Sequence, residues 1–118
     1  MSGPTPAPER HVVLVCGPPG SGKSTFARTL GLPVYEAEAY RTDRAFVLAV
    51  LRAVEPEEAR VAVVRCCPTP EDRAAWARTL RATRVVRMNT PLDVCIERIR
   101  QRGRPRWRAE VGAARAYR

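Results

Sequence analysis

The apolar positions fall into short, unbroken runs separated by mixed segments. His11-Val-Val-Leu-Val-Cys16 is apolar at nearly every position, the pattern of a strand covered on both faces of a parallel sheet rather than the alternation of a half-exposed one. Arg60-Val-Ala-Val-Val-Arg65 and Arg84-Val-Val-Arg-Met88 read as further strands, and Val34-Tyr35 is a shorter candidate. Helical segments lie between them. One runs from Lys23 to about Leu30 and is stopped by Gly31 and Pro33. A second, capped by Thr42 or Asp43, has the interior AFVLAVLRAV and is limited by Pro56. Thr69-Pro-Glu-Asp72 starts a third, with a capping hydroxyl, proline in the first turn and acids facing the helix dipole; it runs to about Leu80. Thr90-Pro-Leu-Asp93 repeats the signal for a fourth, ending at Arg102 before Gly103, and residues 106–117 predict a last one.

The order is therefore β-α-β-α-β-α-β-α. Such alternation predicts an α/β fold with a parallel sheet, right-handed crossovers and helices on both faces. Ligands of these sheets bind beyond the carboxyl ends of the strands. Residues 1–10 hold Pro4, Pro6 and Pro8 and no large apolar side chain after Met1, and read as a flexible tail; residues 11–118 read as one domain.

One of the strand-to-helix junctions carries chemistry. Gly17-Pro18-Pro19-Gly20-Ser21-Gly22-Lys23-Ser24-Thr25 fits G-x-x-x-x-G-K-[ST], preceded by an apolar strand and followed by a helix. In a chain of this composition the pattern arises by chance roughly 3 times in 10,000. Glycines allow a tight turn with inward N–H groups, which with the helix N-terminus make a phosphate site. Ser24 is placed to offer its hydroxyl to Mg²⁺, and Lys23 to reach the β- and γ-phosphates of ATP. Lys23 is the only lysine among 21 basic residues. Its compact ammonium fits beside two phosphates, where arginine's broad fork does not.

Charge extends the picture. The formal net charge is +9, and all of the excess lies in the second half: fourteen basic and five acidic residues in 61–118, seven of each in 1–60. Such a surface suits anionic partners, including nucleotides and nucleic acid. A GC-rich coding sequence is the other account of the arginines. Glu36 and Glu38, after the second strand, are candidates to accept a proton from a hydroxyl acceptor or to hold the metal's water; plain surface glutamate is the alternative for both. Arg73 is a candidate clamp for an acceptor phosphate. Six arginines lie in the eleven residues from Arg98 to Arg108. Arg98 and Arg102 share a helix face, and Arg102 and Arg104 straddle its end, where one or two could close over a nucleotide. Trp107 reads as half-buried packing.

Four cysteines, Cys16, Cys66, Cys67 and Cys95, form no C-x-x-C pair and are not close in sequence to His11, which argues against a metal cluster or disulfide framework. Cys16 and Cys95 read as buried thiols. No run reaches the roughly 18 apolar residues of a membrane span. With no hydrophobic leader, the expectation is a cytoplasmic protein.

With these residues placed, the chain resembles the small P-loop kinases of the zeta-toxin and polynucleotide-kinase-like group, including short proteins of bacteriophages and actinobacteria grouped with AAA-type ATPases. More distantly it resembles the nucleoside monophosphate kinases. GPPGSGKST carries the likeness over residues 11–108. Weaker echoes are Glu36 with Glu38, the set Thr69, Arg73 and Trp76, and T-P-L-x-x-C-x-x-R-x-x-x-R-G-R-P from Thr90. The resemblance implies a three-layer fold of about four strands in the order 2-3-1-4, and ATP with Mg²⁺. It also implies phosphoryl transfer to a nucleotide, nucleic-acid end or other hydroxyl acceptor. Two departures stand out. Arg65 ends the third strand where P-loop proteins carry a metal-side Asp or Glu. The sequence also stops at Arg118, before the fifth strand and helix that members add, so the base is expected to be held loosely or by a partner subunit in an oligomer. Three functions follow: a Mg-ATP-dependent phosphotransferase, a nucleotide-binding or ATPase accessory module without transfer, for example in phage DNA handling, and a basic nucleic-acid-binding protein.

Overall fold

The computed structural model describes residues 9–118. Four strands, β1 (His11–Cys16), β2 (Val34–Glu36), β3 (Arg60–Arg65) and β4 (Arg84–Arg87), form one sheet in the order β2-β3-β1-β4. All three pairings are parallel, and the register sets Cys16 beside Arg65 and Arg87. Five α-helices accompany them: α1 (Lys23–Arg28), α2 (Asp43–Val54), α3 (Pro70–Leu80), α4 (Leu92–Arg102) and α5 (Trp107–Ala116). A short 3₁₀ turn, Ala37–Ala39, follows β2. The tail expected at residues 1–10 lies outside the described residues except for Glu9 and Arg10.

β1 is fully buried from Val12 to Cys16, as its unbroken apolar run requires. Its alternate side chains feed two cores. Val12 and Leu14 join Val61 and Val63 of β3 against Phe46 and Val50 of α2 and Leu80 of α3. Val13 and Val15 join Ala62 and Val64 against Ala27 of α1. Both sheet faces are therefore covered, and burying side chains of this size contributes about 1.5–3 kcal/mol each. α4 and α5 pack on one another through Cys95, Ile99, Val111 and Ala114. Among the described residues, no helix is long and apolar enough to cross a membrane.

Local signals fix most boundaries. The Thr69 hydroxyl accepts from the Asp72 N–H at 3.1 Å, capping as its sequence predicts; of the two candidates for α2, Thr42 is the cap, accepting from the Ala45 N–H at 3.0 Å, and Asp43 is the first helical residue. α1 stops at Arg28, two residues early: Thr29 keeps right-handed helical backbone, but its N–H and that of Leu30 bond three residues back, to the carbonyls of Phe26 and Ala27, ahead of left-handed Gly31. β2 runs one residue further, so Glu36 ends the strand instead of following it. Thr90 corrects an expectation outright. It does not cap α4, whose cap position is Pro91 without a side-chain bond; its hydroxyl donates to the Ser21 carbonyl at 2.6 Å.

Two long-range ties were not legible. Before β1, Arg10 donates to the carbonyls of Pro56, Leu80 and Arg81, at 2.7, 2.7 and 3.1 Å, joining the ends of α2 and α3. After α5, Tyr117 donates its hydroxyl to the Cys66 carbonyl at 2.7 Å, and the Arg118 N–H donates to the Pro68 carbonyl at 2.8 Å. The Tyr117 ring has Arg73 and Arg87 within 5.4 and 5.8 Å of its centroid. Burial pushes the Tyr117 hydroxyl up to about 12 from 10, the neighbouring Arg73 opposing it. Because the folded value is the higher one, stability from this contact is present below pH 10 and is lost as pH rises toward 12. Absorbance titration of tyrosinate should show one step near pH 12 that Tyr117→Phe removes. A profile identical in wild type and variant would contradict the buried placement.

Candidate functional site

The loop between β1 and α1 must turn its amides inward. Gly20 and Gly22 do this with φ of +78° and +84°, angles that L side chains rarely adopt. At Gly20 a Cβ would also collide with the Cys95 carbonyl oxygen, because α4 lies directly against the loop. The loop's carbonyls are held from outside. Thr90 donates to Ser21 O, and Arg98 Nη1 donates to Gly20 O at 3.2 Å. The backbone N–H groups of Gly20, Gly22, Lys23 and Ser24 take part in no backbone hydrogen bond among the described residues. Lys23 Nζ folds back toward the Pro18 carbonyl, at 3.4 Å. This is a cradle for an anion, with the start of α1 beneath it.

The cradle opens into a cavity of about 610 Å³. The loop and α1 supply Lys23, Ser24, Thr25 and Arg28 on one side. The opposite wall carries Glu36, Glu38, Asp43 and Arg65, and the end of α4 contributes Arg102 and Arg104. Every carboxylate on that wall is paired. Glu36 meets Arg28 at 3.3 Å, Asp43 meets Arg65 at 2.9 Å, and Glu38 meets Arg104 at 3.1 Å. Arg104 also reaches Glu110 of α5 at 3.4 Å, so it bridges the second strand's loop to the last helix across the cavity mouth. Glu38, then Glu110, holds the Arg104 guanidinium charged above even its ordinary range. The hydrogen bond from Arg65 holds the Asp43 carboxyl below the usual carboxylate range. Lys23 and Arg102 are the cavity cations with no carboxylate partner among the described residues.

The structure thus gathers Lys23, Ser24, Thr25, Glu36, Glu38, Arg102 and Arg104 around one space. Arg98 lies beneath the loop, where it supports a carbonyl. Arg73 is elsewhere: its nitrogens donate to the Cys67 carbonyl at 3.0 Å and the Arg118 main-chain oxygen at 3.2 Å, on the side of the strand ends strapped by Tyr117. Those bonds engage the donors an acceptor phosphate would need. Asp43, Arg28 and Glu110 complete the walls and carry no motif that singles them out. Cys16, Cys67 and Cys95 are buried, and Cys66 is half-buried on the cavity wall. The hydrogen bond to Cys67, together with burial, keeps the proton on Cys16.

The donor set fits Mg²⁺ with a triphosphate. A hydroxyl in the first turn of α1, carboxylate oxygens and an ammonium line the same cavity, hard oxygen ligands and counter-charge of the kind Mg²⁺ and phosphate take. The Ser21 hydroxyl is buried with no hydrogen-bond partner among the described residues, inside the same loop.

No protein-family model matches the chain, and no curated protein matches it by sequence. Solved structures do: seventeen chains match. One is a gluconokinase from Sinorhizobium meliloti 1021, with a TM-score of 0.63 over 94% of this chain and 77% of that one, at 20% identity. The likeness shows the fold: an α/β fold with a parallel four-stranded sheet, shared with that neighbour. The strand order implied by the sequence resemblance is the order found.

The loop geometry makes one position critical. Gly20→Ala is expected to destabilise the fold by about 1–3 kcal/mol through backbone strain alone, before the collision with Cys95 is added. Denaturant unfolding measures it, and an unchanged midpoint would show that the loop does not hold this conformation.

Proposed function

We propose that the protein is a Mg-ATP-dependent phosphotransferase acting on a small hydroxyl-bearing acceptor. One observation carries the reading: the phosphate cradle with Lys23 and Ser24 faces paired carboxylates and guanidinium groups across a single cavity. Phosphoryl transfer is chiefly positioning and charge neutralisation, and such a cavity offers both. The loop amides and Lys23 bind the β- and γ-phosphates. Ser24 holds Mg²⁺, which when bound neutralises the phosphate oxygens. Arg102 and Arg104, at the end of α4, stabilise charge on the transferred group. Glu36 and Glu38 orient the acceptor hydroxyl, and an acceptor that takes Glu38 leaves Arg104 held by Glu110 alone.

The acceptor is a polyhydroxyl compound rather than a nucleoside. No aromatic side chain is among the residues lining the cavity to offer a base a ring, and its carboxylates and guanidinium groups suit hydroxyls. The name of the structural neighbour, a gluconokinase, supports an acceptor of that kind. Sequence likeness to the zeta-toxin and polynucleotide-kinase-like group supports the wider class of P-loop kinases. A second reading, nucleotide binding without transfer, is favoured by one feature, the arginine at the end of β3.

Incubation with γ-labelled ATP, Mg²⁺ and a panel of sugars, sugar acids, nucleosides and 5′-hydroxyl oligonucleotides separates these readings. Label transfer to a sugar or sugar acid is expected, reduced roughly a hundredfold or more in Lys23→Ala. ATP binding with no label leaving it would establish the second reading. Transfer confined to nucleosides or oligonucleotides would contradict the acceptor class.

A further inference from the structure

P-loop sites use a carboxylate to hold the water shell of the metal, and the end of the third strand is where the strand order brings that group beside the loop. In this chain the position is Arg65, whose Cα pairs in register with Cys16, the residue before Gly17. Arg65 is unusually well fixed. Its guanidinium lies 5.5 Å from the centroid of the Phe46 ring and 4.5 Å from that of Trp76. Its Nη1 and Nη2 donate to Oδ1 and Oδ2 of Asp43, at 2.9 and 3.3 Å. Two rings set the plane of the fork, and the fork sets the plane of the carboxylate.

Asp43 is the first residue of α2, and both it and Arg65 line the cavity that Lys23 and Ser24 open into. The Arg65 side chain is 24% exposed and that of Asp43 65%, so the guanidinium is the anchor and the carboxylate the presented group. Each carboxylate oxygen keeps a lone pair beyond the one facing Arg65. The other two acids of this wall are held more loosely. Glu36 meets a single nitrogen of Arg28, which is 64% exposed, and Glu38 a single nitrogen of Arg104, which is 42% exposed.

The geometry points to Asp43 as the carboxylate that serves the metal's water shell, delivered from α2 to the end of β3 by Arg65, which acts as a positioning residue. The arginine then does not empty the metal-side position; it moves the acid to another element and orients it. This inference rests on the nucleotide-binding reading above and adds the group that reading lacks. It explains why Arg65 is clamped by two aromatic rings at a place where a solvated arginine would need no clamp.

The test is calorimetric titration of the full chain with ATP, in excess Mg²⁺ and in excess chelator, read as the ratio of the two affinities. Wild type is expected to bind more tightly with Mg²⁺. Asp43→Asn keeps the shape and the Thr42 cap, and is expected to lower the ratio roughly tenfold with the Mg²⁺-free affinity unchanged, the size of one hydrogen bond to a charged group. Arg65→Met, which leaves the carboxylate unpositioned, is expected to move the ratio the same way. An unchanged ratio in Asp43→Asn overturns the inference. So does an equal fall of both affinities, which marks a purely structural ion pair. A wild-type ratio near one, with ATP still bound, overturns it while leaving nucleotide binding intact. Absence of ATP binding in both conditions overturns the nucleotide reading, and this inference with it.

Discussion

The loop between β1 and α1 leaves the carbonyls of Gly20 and Ser21 to be met from elsewhere in the fold, and much of this molecule is arranged around that constraint. Positive φ at Gly20 and Gly22 turns the N–H groups inward. The displaced carbonyls of Gly20 and Ser21 are then met by Arg98 and Thr90, side chains that come from α4 and the turn before it. This fixes α4 against the loop so closely that no Cβ is tolerated at Gly20. β1 is buried on both faces because it must deliver the loop rigidly from the centre of the sheet. The phosphate cradle, the placement of α4 and the position of the arginines at its end are one mechanical unit.

Ion pairs join the elements that wall the cavity beyond the loop. Individually, pairs as exposed as Glu38 with Arg104 stabilise little, since solvent screens them. Their value lies in geometry. Each ties an element of the cavity wall to another: β2 to α1, α2 to β3, and the 3₁₀ turn to the end of α4 and to α5. With Lys23 and Arg102 lacking carboxylate partners among the described residues, the positive field is concentrated where a polyphosphate is expected.

The parts of this arrangement that were legible in sequence are the local ones. The unbroken apolar run of β1 reveals a strand covered on both faces, the glycines with Lys23 and Ser24 reveal the loop, and Thr69 reveals a helix start. The strand order was an implication of family likeness, because patterning does not rank neighbours in a parallel sheet. What escaped is long-range. Thr90 has the local sequence of a cap, yet its hydroxyl is drawn to a carbonyl 69 residues away. Arg73 has the position of a clamp in a linear reading, but the strap through Tyr117 and Arg118 engages its donors. Arg65 reads as a lost acid until α2 is seen to bring Asp43 to it across 22 residues. In each case a polar side chain chose between partners that differ only in tertiary distance.

The central claim is that the loop between β1 and α1, held by Thr90 and Arg98, is the nucleotide site. Amide hydrogen exchange with and without Mg²⁺ and ATP tests it most directly. The account predicts added protection over residues 20–25, where amides gain phosphate partners, and over the start of α4, which shares the loop's carbonyls. Protection confined to the arginine-rich residues 98–108, with the loop unchanged, would contradict it.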